Sequence, residues 1–224
     1  MKKLLQILLL FIITNSLFAQ REEASIWYFG ENAGMHFNLI TNSATVLKNG
    51  KLDTRAGSTS ISDSSGRLLF YTDGQTVWNR NHSRMSGGWQ LSGDTTNTQP
   101  ALIVPNPADI DIYYIFTTSL SNGLEYAVVD MSRQNGLGAV INQDINLLPS
   151  GTQMISAVAK DCAEKSIWIT VFSNGTLHTF DVNNSGTSST YLTFPMSYNS
   201  FLDIEPNFGY LKFSPDGTKL ACTT

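Results

Sequence analysis

Leu68-Leu69-Phe70-Tyr71-Thr72-Asp73-Gly74-Gln75-Thr76-Val77-Trp78-Asn79 is the stretch that decides the fold. β-branched and aromatic residues run up to Asp73-Gly74 and resume after it, as in a β-hairpin. Asp-Gly and Asn-Gly are favoured two-residue hairpin turns, because both central residues of a type I′ turn need φ > 0. The pattern returns at Asn122-Gly123 and Asn174-Gly175, at intervals of about 50 residues, the period of a β-propeller blade. Each of the three predicts a hairpin with its glycine at positive φ.

Working outward from these turns gives successive units of four strands, A to D. In the first, A is 58–62, B is 68–72 and C is 76–79, with Asp63-Ser64-Ser65-Gly66 as the A–B turn and a weak D strand near Trp89 to Leu91. In the second, A is 101–104, B is 112–118, C is 124–130 and D is 140–147, with a longer proline-bounded A–B loop from Pro105 to Asp111. In the third, A is 155–159, B is 166–172, C is 176–181 and D is 190–194. A fourth unit begins with 210–213, the turn Ser214-Pro215-Asp216-Gly217 and a strand over 219–222. The spacing of the first unit places its next turn past Thr224, so the expectation is a chain that stops within a blade of a longer protein. Before the repeats, 25–29 and a hairpin of 35–38 with 44–47 read as strands. No helical periodicity of useful length appears outside the leader.

The expected fold is therefore all-β, an incomplete β-propeller of about three and a half four-stranded antiparallel blades behind a signal peptide. The expected divisions are a signal peptide over 1–19, N-terminal strands and a hairpin over 20–56, and blades over 57–224. The leader reads Lys2-Lys3, an apolar run from Leu4 to Phe18, then Ala19-Gln20. At about 15 residues the run is short for a membrane span, and its flanks are those of a cleaved export signal.

Charged residues are only 14% of the chain, and the formal net charge is -4. Losing Lys2 and Lys3 with the leader makes it about -6. An acidic chain without basic clusters points away from nucleic acid. Cys162 falls in an A–B loop and Cys222 in a B strand of the next unit. Sites at such unlike depths are poor disulfide partners, and two cysteines do not make a zinc site.

The blocks carry a resemblance. Trp27-Tyr28-Phe29-Gly30, Gly34 and Phe37-Asn38, followed by Ser60-Ile61-Ser62-Asp63, Gly66, the stretch Leu68 to Gly74, Val77-Trp78-Asn79 and Met85, resemble the N-terminal region of large exported Bacteroidetes proteins. Phe213-Ser214-Pro215-Asp216-Gly217 is similar to a turn of TolB-like and WD-type propeller blades. Members of the exported family typically end in a gliding-motility-associated or type IX secretion C-terminal domain. No such domain is read in these 224 residues, which leaves export by that route to a longer parent chain. The resemblance implies a secreted or cell-surface, non-enzymatic binding or scaffold protein and supplies no catalytic residues. The alternative is a propeller glycan hydrolase or lyase whose catalytic residues lie further along the parent chain.

Candidate site residues are few. Thr98, Gln99, Gln153 and Asn207 fall just before A strands. A strands line the central channel of a propeller, so these groups are candidates for ligand contact at its mouth, with hydrogen bonds to neighbouring backbone as the plainer reading. Trp89, in the loop Gly87-Gly88-Trp89, is a candidate for contact with a glycan or a surface protein. The strand aromatics Trp27, Tyr28, Phe29, Phe70, Tyr71, Trp78, Tyr113, Tyr114, Phe116 and Trp168 read as packing between sheets. Asp109 with Asp111, and Asp203 with Glu205, supply too few oxygens for Ca²⁺. His36, His82 and His178 lack metal-ligand spacing. No cofactor, metal site or catalytic group is expected.

Overall fold

The computed structural model describes residues 22–160, 165–196 and 209–223. The leader with its cut after Ala19, Cys162, the Asp203–Glu205 pair and Asn207 lie outside the described residues. Among the described residues the protein is all-β, with 3-10 turns only at Glu22–Ala24 and Gln134–Gly136.

Five antiparallel sheets follow one another along the chain, each a meander. The first joins β1 (Ile26–Phe29), β2 (Ala33–Asn38) and β3 (Ser43–Leu47). The second joins β4 (Thr59–Ser62), β5 (Leu68–Thr72) and β6 (Val77–Asn79). The third holds β7 (Ala101–Pro105), β8 (Ile112–Ser119), β9 (Gly123–Asp130) and β10 (Ala139–Leu148). The fourth holds β11 (Met154–Ala159), β12 (Ile167–Ser173), β13 (Thr176–Asn183) and β14 (Gly186–Pro195). The fifth is the pair β15 (Tyr210–Phe213) and β16 (Leu220–Thr223).

The sheets are stacked face to face, and the alternation of side chains along a strand explains how. On β8, Tyr113 and Ile115 enter the core shared with the second sheet. Their neighbours Tyr114 and Phe116 enter the core shared with the fourth. Successive side chains point to opposite faces, so a strand covered on both sides must be apolar at every position. Tyr28, Leu52, Leu68 and Tyr71 fill the gap between the first and second sheets, and Met154, Phe172 and Leu211 that between the fourth and fifth. The opening strands β1, β4, β7, β11 and β15 lie next to one another in that order.

All three sequence-marked turns join the second and third strands of their sheets, with Gly74, Gly123 and Gly175 at φ 93°, 79° and 75°. Asn174-Gly175 alone is a two-residue turn with both residues at positive φ. At Asp73 the connection is longer, held by Asp73 Oδ1 accepting from the N–H groups of Gln75 and Thr76. Between β8 and β9 three residues intervene, and Ser119 Oγ accepts from the N–H groups of Ser121 and Asn122.

Three expectations need correction. Trp89 to Leu91 is not a strand, so the second sheet has three strands rather than four. Gly87 at φ 71° and Gln90 at φ 57° break the extended run, and the outer edge of β6 is covered instead by an irregular segment. There Met85 N–H donates to Val77 O, and Val77 N–H to Gly88 O. Pro105 ends β7 opposite Tyr113 instead of opening the loop, which an edge strand permits. Trp27 and Phe29 are exposed, because β1 covers only its Tyr28 face. Trp27 rests edge-on against Phe37, its indole N–H on Ala24 O.

Candidate functional site

The polar residues ahead of the opening strands come together as a seam between sheets. Gln99 Oε1 accepts from the N–H groups of Ile155 (3.3 Å) and Leu211 (2.8 Å). Its Nε2 donates to the carbonyls of the same two residues, at 2.9 and 3.3 Å. Both β11 and β15 are edge strands of their sheets, so half of their backbone groups face away from any ladder partner. One side-chain amide presents a donor and an acceptor to each of two such edges. Thr98 Oγ1 donates to Gly209 O (2.6 Å), and its N–H donates to the buried Gln153 Oε1 (3.3 Å). Asn97, a position the sequence reading passed over, is fully buried and donates to Thr118 O at 2.9 Å. Gln99, Thr98 and Gln153 thus spend hydrogen bonds on neighbouring backbone and side chains of the adjoining units.

Trp89 is half exposed, and the Arg84 guanidinium lies 4.1 Å from its ring centroid, covering one face. A sugar stacking on that face would have to displace the cation. Beside the hairpin turns, Gln75, Gln90, Asp94, Ser119 and Asn122 line a polar trough of about 540 Å³.

The larger opening lies at the other end of the sheets, among the A–B loops. A cleft of about 700 Å³ runs between the second and third sheets, lined by Glu23, Ser62, Asp63, Ile103, Ile110 and Tyr113 among others. Asp63, Ile110 and Tyr113 also line an adjoining lobe of about 550 Å³ that holds Arg67, Arg80 and Asp111. Asp63 caps its own turn, with Oδ1 accepting from the N–H groups of Ser65 and Arg67 and Oδ2 from Arg67 Nε. Burial would raise the pKa of this carboxyl, but hydrogen bonds from Ser65 and Arg67 outweigh it and hold the group below the usual carboxylate range. Tyr113 titrates above the normal phenol, first through burial and then through the charges of Asp63, Asp111 and Glu23.

Two cleft groups stand out. Ser62 is 1% exposed, yet its Oγ has no hydrogen-bond partner; Glu23 Oε2 is likewise buried and unpartnered. A buried polar atom without a partner costs stability, so it calls for a reason. Ser62→Ala is expected to leave the fold intact and to raise its stability by up to about 1 kcal/mol, read by urea denaturation. A loss of that size would show that the hydroxyl is satisfied in solution. Sequence reading passed over Ser62 and Glu23, because nothing in a Thr-Ser-Ile-Ser strand or a Glu-Glu pair reveals which oxygen is left without a partner.

A second polar cluster joins the first two sheets. Tyr28 OH donates to Asn49 Oδ1 (2.9 Å), Asn49 Nδ2 lies 2.8 Å from His82 Nε2, and Tyr71 OH lies 3.1 Å from His82 Nδ1. Burial and then the charge of Lys51 push the His82 pKa down; burial pushes Tyr71 up to about 12. A histidine depressed in the fold resists a proton that the unfolded chain accepts below about pH 6.5. Its contribution is complete above that pH and is lost as pH falls through the window below it. His178 is shifted the same way by burial. The urea midpoint should fall between pH 7.5 and 5, and His82→Gln should flatten that fall. An unchanged slope would remove His82 from the account.

Among the described residues no helix is long and apolar enough to cross a membrane, and no three His, Cys, Asp or Glu side chains cluster as metal ligands. Cys222 carries a free thiol, 3.5 Å from Met154 Sδ. The chain matches no family model, no curated protein and no solved structure.

Proposed function

We propose that this chain is the β-propeller portion of an exported or cell-surface binding and scaffold protein of the Bacteroidetes type, and that it performs no catalysis. The observation that carries the reading is the seam around Gln99. Opening strands of successive sheets stand side by side, tied by a side chain that two strand edges share. That arrangement suits blades radiating from a common axis, a rigid frame that offers its loops to a partner. The polar residues facing the axis serve cohesion, so the partner is expected at the A–B loop cleft. The apolar leader and the low charge of the chain fit export.

Intact-cell antibody labelling and N-terminal sequencing of the native protein test this reading. Surface staining with a mature N-terminus at Gln20 is the expected result. A mature chain that retains Leu4 to Phe18 would overturn it, and so would release of reducing or unsaturated sugars from a polysaccharide panel by the purified protein.

A further inference from the structure

The connection from β3 to β4 lies against the gap between the first two sheets, and its seat is aromatic. Tyr28 of β1 and Tyr71 of β5 are buried there and stack with ring centroids 4.6 Å apart. A β-carbon on Gly50 would come within 2.8 Å of the Tyr28 ring, so the backbone of the connection rests directly on it. The connection holds to the first sheet through Asn32 N–H donating to Leu52 O. It reaches the second through Lys51 N–H, which donates to Tyr71 OH at 3.1 Å, and through the Asn49 amide, whose Nδ2 lies 2.8 Å from His82 Nε2. His82 follows β6 at φ 58°, a left-handed conformation that is uncommon for a residue other than glycine.

Donors and acceptors run one way through this contact. Tyr28 OH donates to Asn49 Oδ1, which turns the amide nitrogen toward His82. An amide nitrogen only donates, so His82 Nε2 accepts, and the proton of the neutral ring sits on Nδ1, facing Tyr71 OH at 3.1 Å. A second proton on His82 would set one N–H against another. Turning the Asn49 amide over would remove that clash only by taking the acceptor away from the buried Tyr28 hydroxyl. We propose that the Asn49–His82 contact is a pH-sensitive latch: a proton on His82 releases residues 48–51 from the second sheet and uncovers Tyr28 and Tyr71. The direction follows from burial and then the Lys51 charge, which both hold the His82 pKa down. Closed, the latch excludes a proton that a released imidazole takes up below about pH 6.5. It is therefore fully closed above that pH and loosens as pH falls through the depressed value. Tyr28 and Tyr71, with ring centroids 5.2 and 5.8 Å from the imidazole, stay neutral in this range because burial raises both. No carboxylate pairs with His82 among the described residues. The opening is local, because the Asn32–Leu52 bond keeps the connection on the first sheet.

Amide hydrogen exchange of the full chain, resolved by NMR and corrected for the intrinsic rate at each pH, tests the latch at Lys51 N–H. Its protection should fall about fivefold or more between pH 7.5 and 5.5. The opening free energy should be nearly independent of urea at low concentration, the mark of a local event rather than of global unfolding. His82→Gln should make the protection independent of pH. Asn49→Asp should reverse the trend, because a carboxylate still accepts from Tyr28 OH and now accepts from a charged imidazole as well. In that variant protection should rise as pH falls from 7.5 to 5.5. A merely structural role for Asn49 would lower protection by the same factor at both pH values. Protection of Lys51 that does not change with pH in the natural chain would overturn the proposal. So would a pH dependence that survives His82→Gln, exchange that proceeds only through global unfolding, or an Asn49→Asp variant that still loosens on acidification.

Discussion

Gln99→Leu is expected to destabilise the protein by roughly 3 kcal/mol, a substantial fraction of the roughly 5–15 kcal/mol by which folded domains are stable. The side chain makes four hydrogen bonds, two to Ile155 and two to Leu211, and both of those residues are 1% exposed. Removing the amide leaves two N–H and two C=O groups facing a leucine methyl. A buried group left without its partner costs about 1–3 kcal/mol, more than the net worth of the bond it replaces. Local relaxation and entering water keep the total below the sum of four such terms. Gln99→Glu separates the two halves of the interaction: a carboxylate still accepts from both N–H groups but sets a negative oxygen against both carbonyls. It should destabilise at least as much as leucine does near neutral pH. Because the side chain ties β11 to β15, the fifth sheet should loosen first. Amide exchange at Leu211 and Phe213 would then accelerate before global unfolding in mild urea. A loss under about 1 kcal/mol for both variants would mean that water replaces the amide without strain, and that Gln99 is not what joins the sheets.

The strands were legible because their faces are chemically plain. A run such as Ile112 to Phe116 is apolar at both alternations, which only a strand packed between two sheets requires. The turns were legible through glycine, although the turn types were not. Asp73 and Ser119 lengthen their loops by accepting backbone N–H groups, and a side-chain oxygen with that role is hard to tell in sequence from any other polar residue. The misplaced strand at Trp89 has a similar origin. β-propensity is a weak local preference, and the covering of β6 was decided by where Met85 and Leu91 could be buried.

The candidate site was less legible, for a geometric reason. Thr98, Gln99 and Gln153 were visible as polar residues at equivalent positions, but what they bond depends on how far apart the sheets stand. The cleft is assembled from a 3-10 turn at Glu22–Ala24, the β4 end at Ser62 and the loop at Ile110, segments far apart in the chain. No spacing rule connects them. The unpartnered oxygens of Glu23 and Ser62 are recognisable as such only once the neighbours are in place.

Gly123→Ala is expected to cost about 3 kcal/mol, against about 1 kcal/mol for Gly30→Ala, although both glycines hold the left-handed conformation. At φ 57° Gly30 charges an alanine for that conformation alone, because a β-carbon there would meet nothing within 4 Å. Gly123, at φ 79°, charges the same and adds a collision. A β-carbon there would run into the carbonyl oxygen of Leu148, with Pro149 C and Ser150 O each 2.9 Å away. All three are backbone atoms of the connection from β10 to β11, so no rotamer change relieves the contact. Relief requires moving that connection outward, and it is held where Thr152 N–H donates to Ser119 O and Ser173 Oγ donates to Gly151 O. Gly74→Ala should fall between the two, because its β-carbon would meet Pro100 O at 2.9 Å, a milder approach than the one at Gly123. Urea denaturation of the three single variants gives the ranking directly. The expected order is Gly123 well above Gly74, and Gly74 above Gly30. Equal losses near 1 kcal/mol would show that the chain from Leu148 to Gly151 shifts without penalty, and that this hairpin is not wedged against its neighbour.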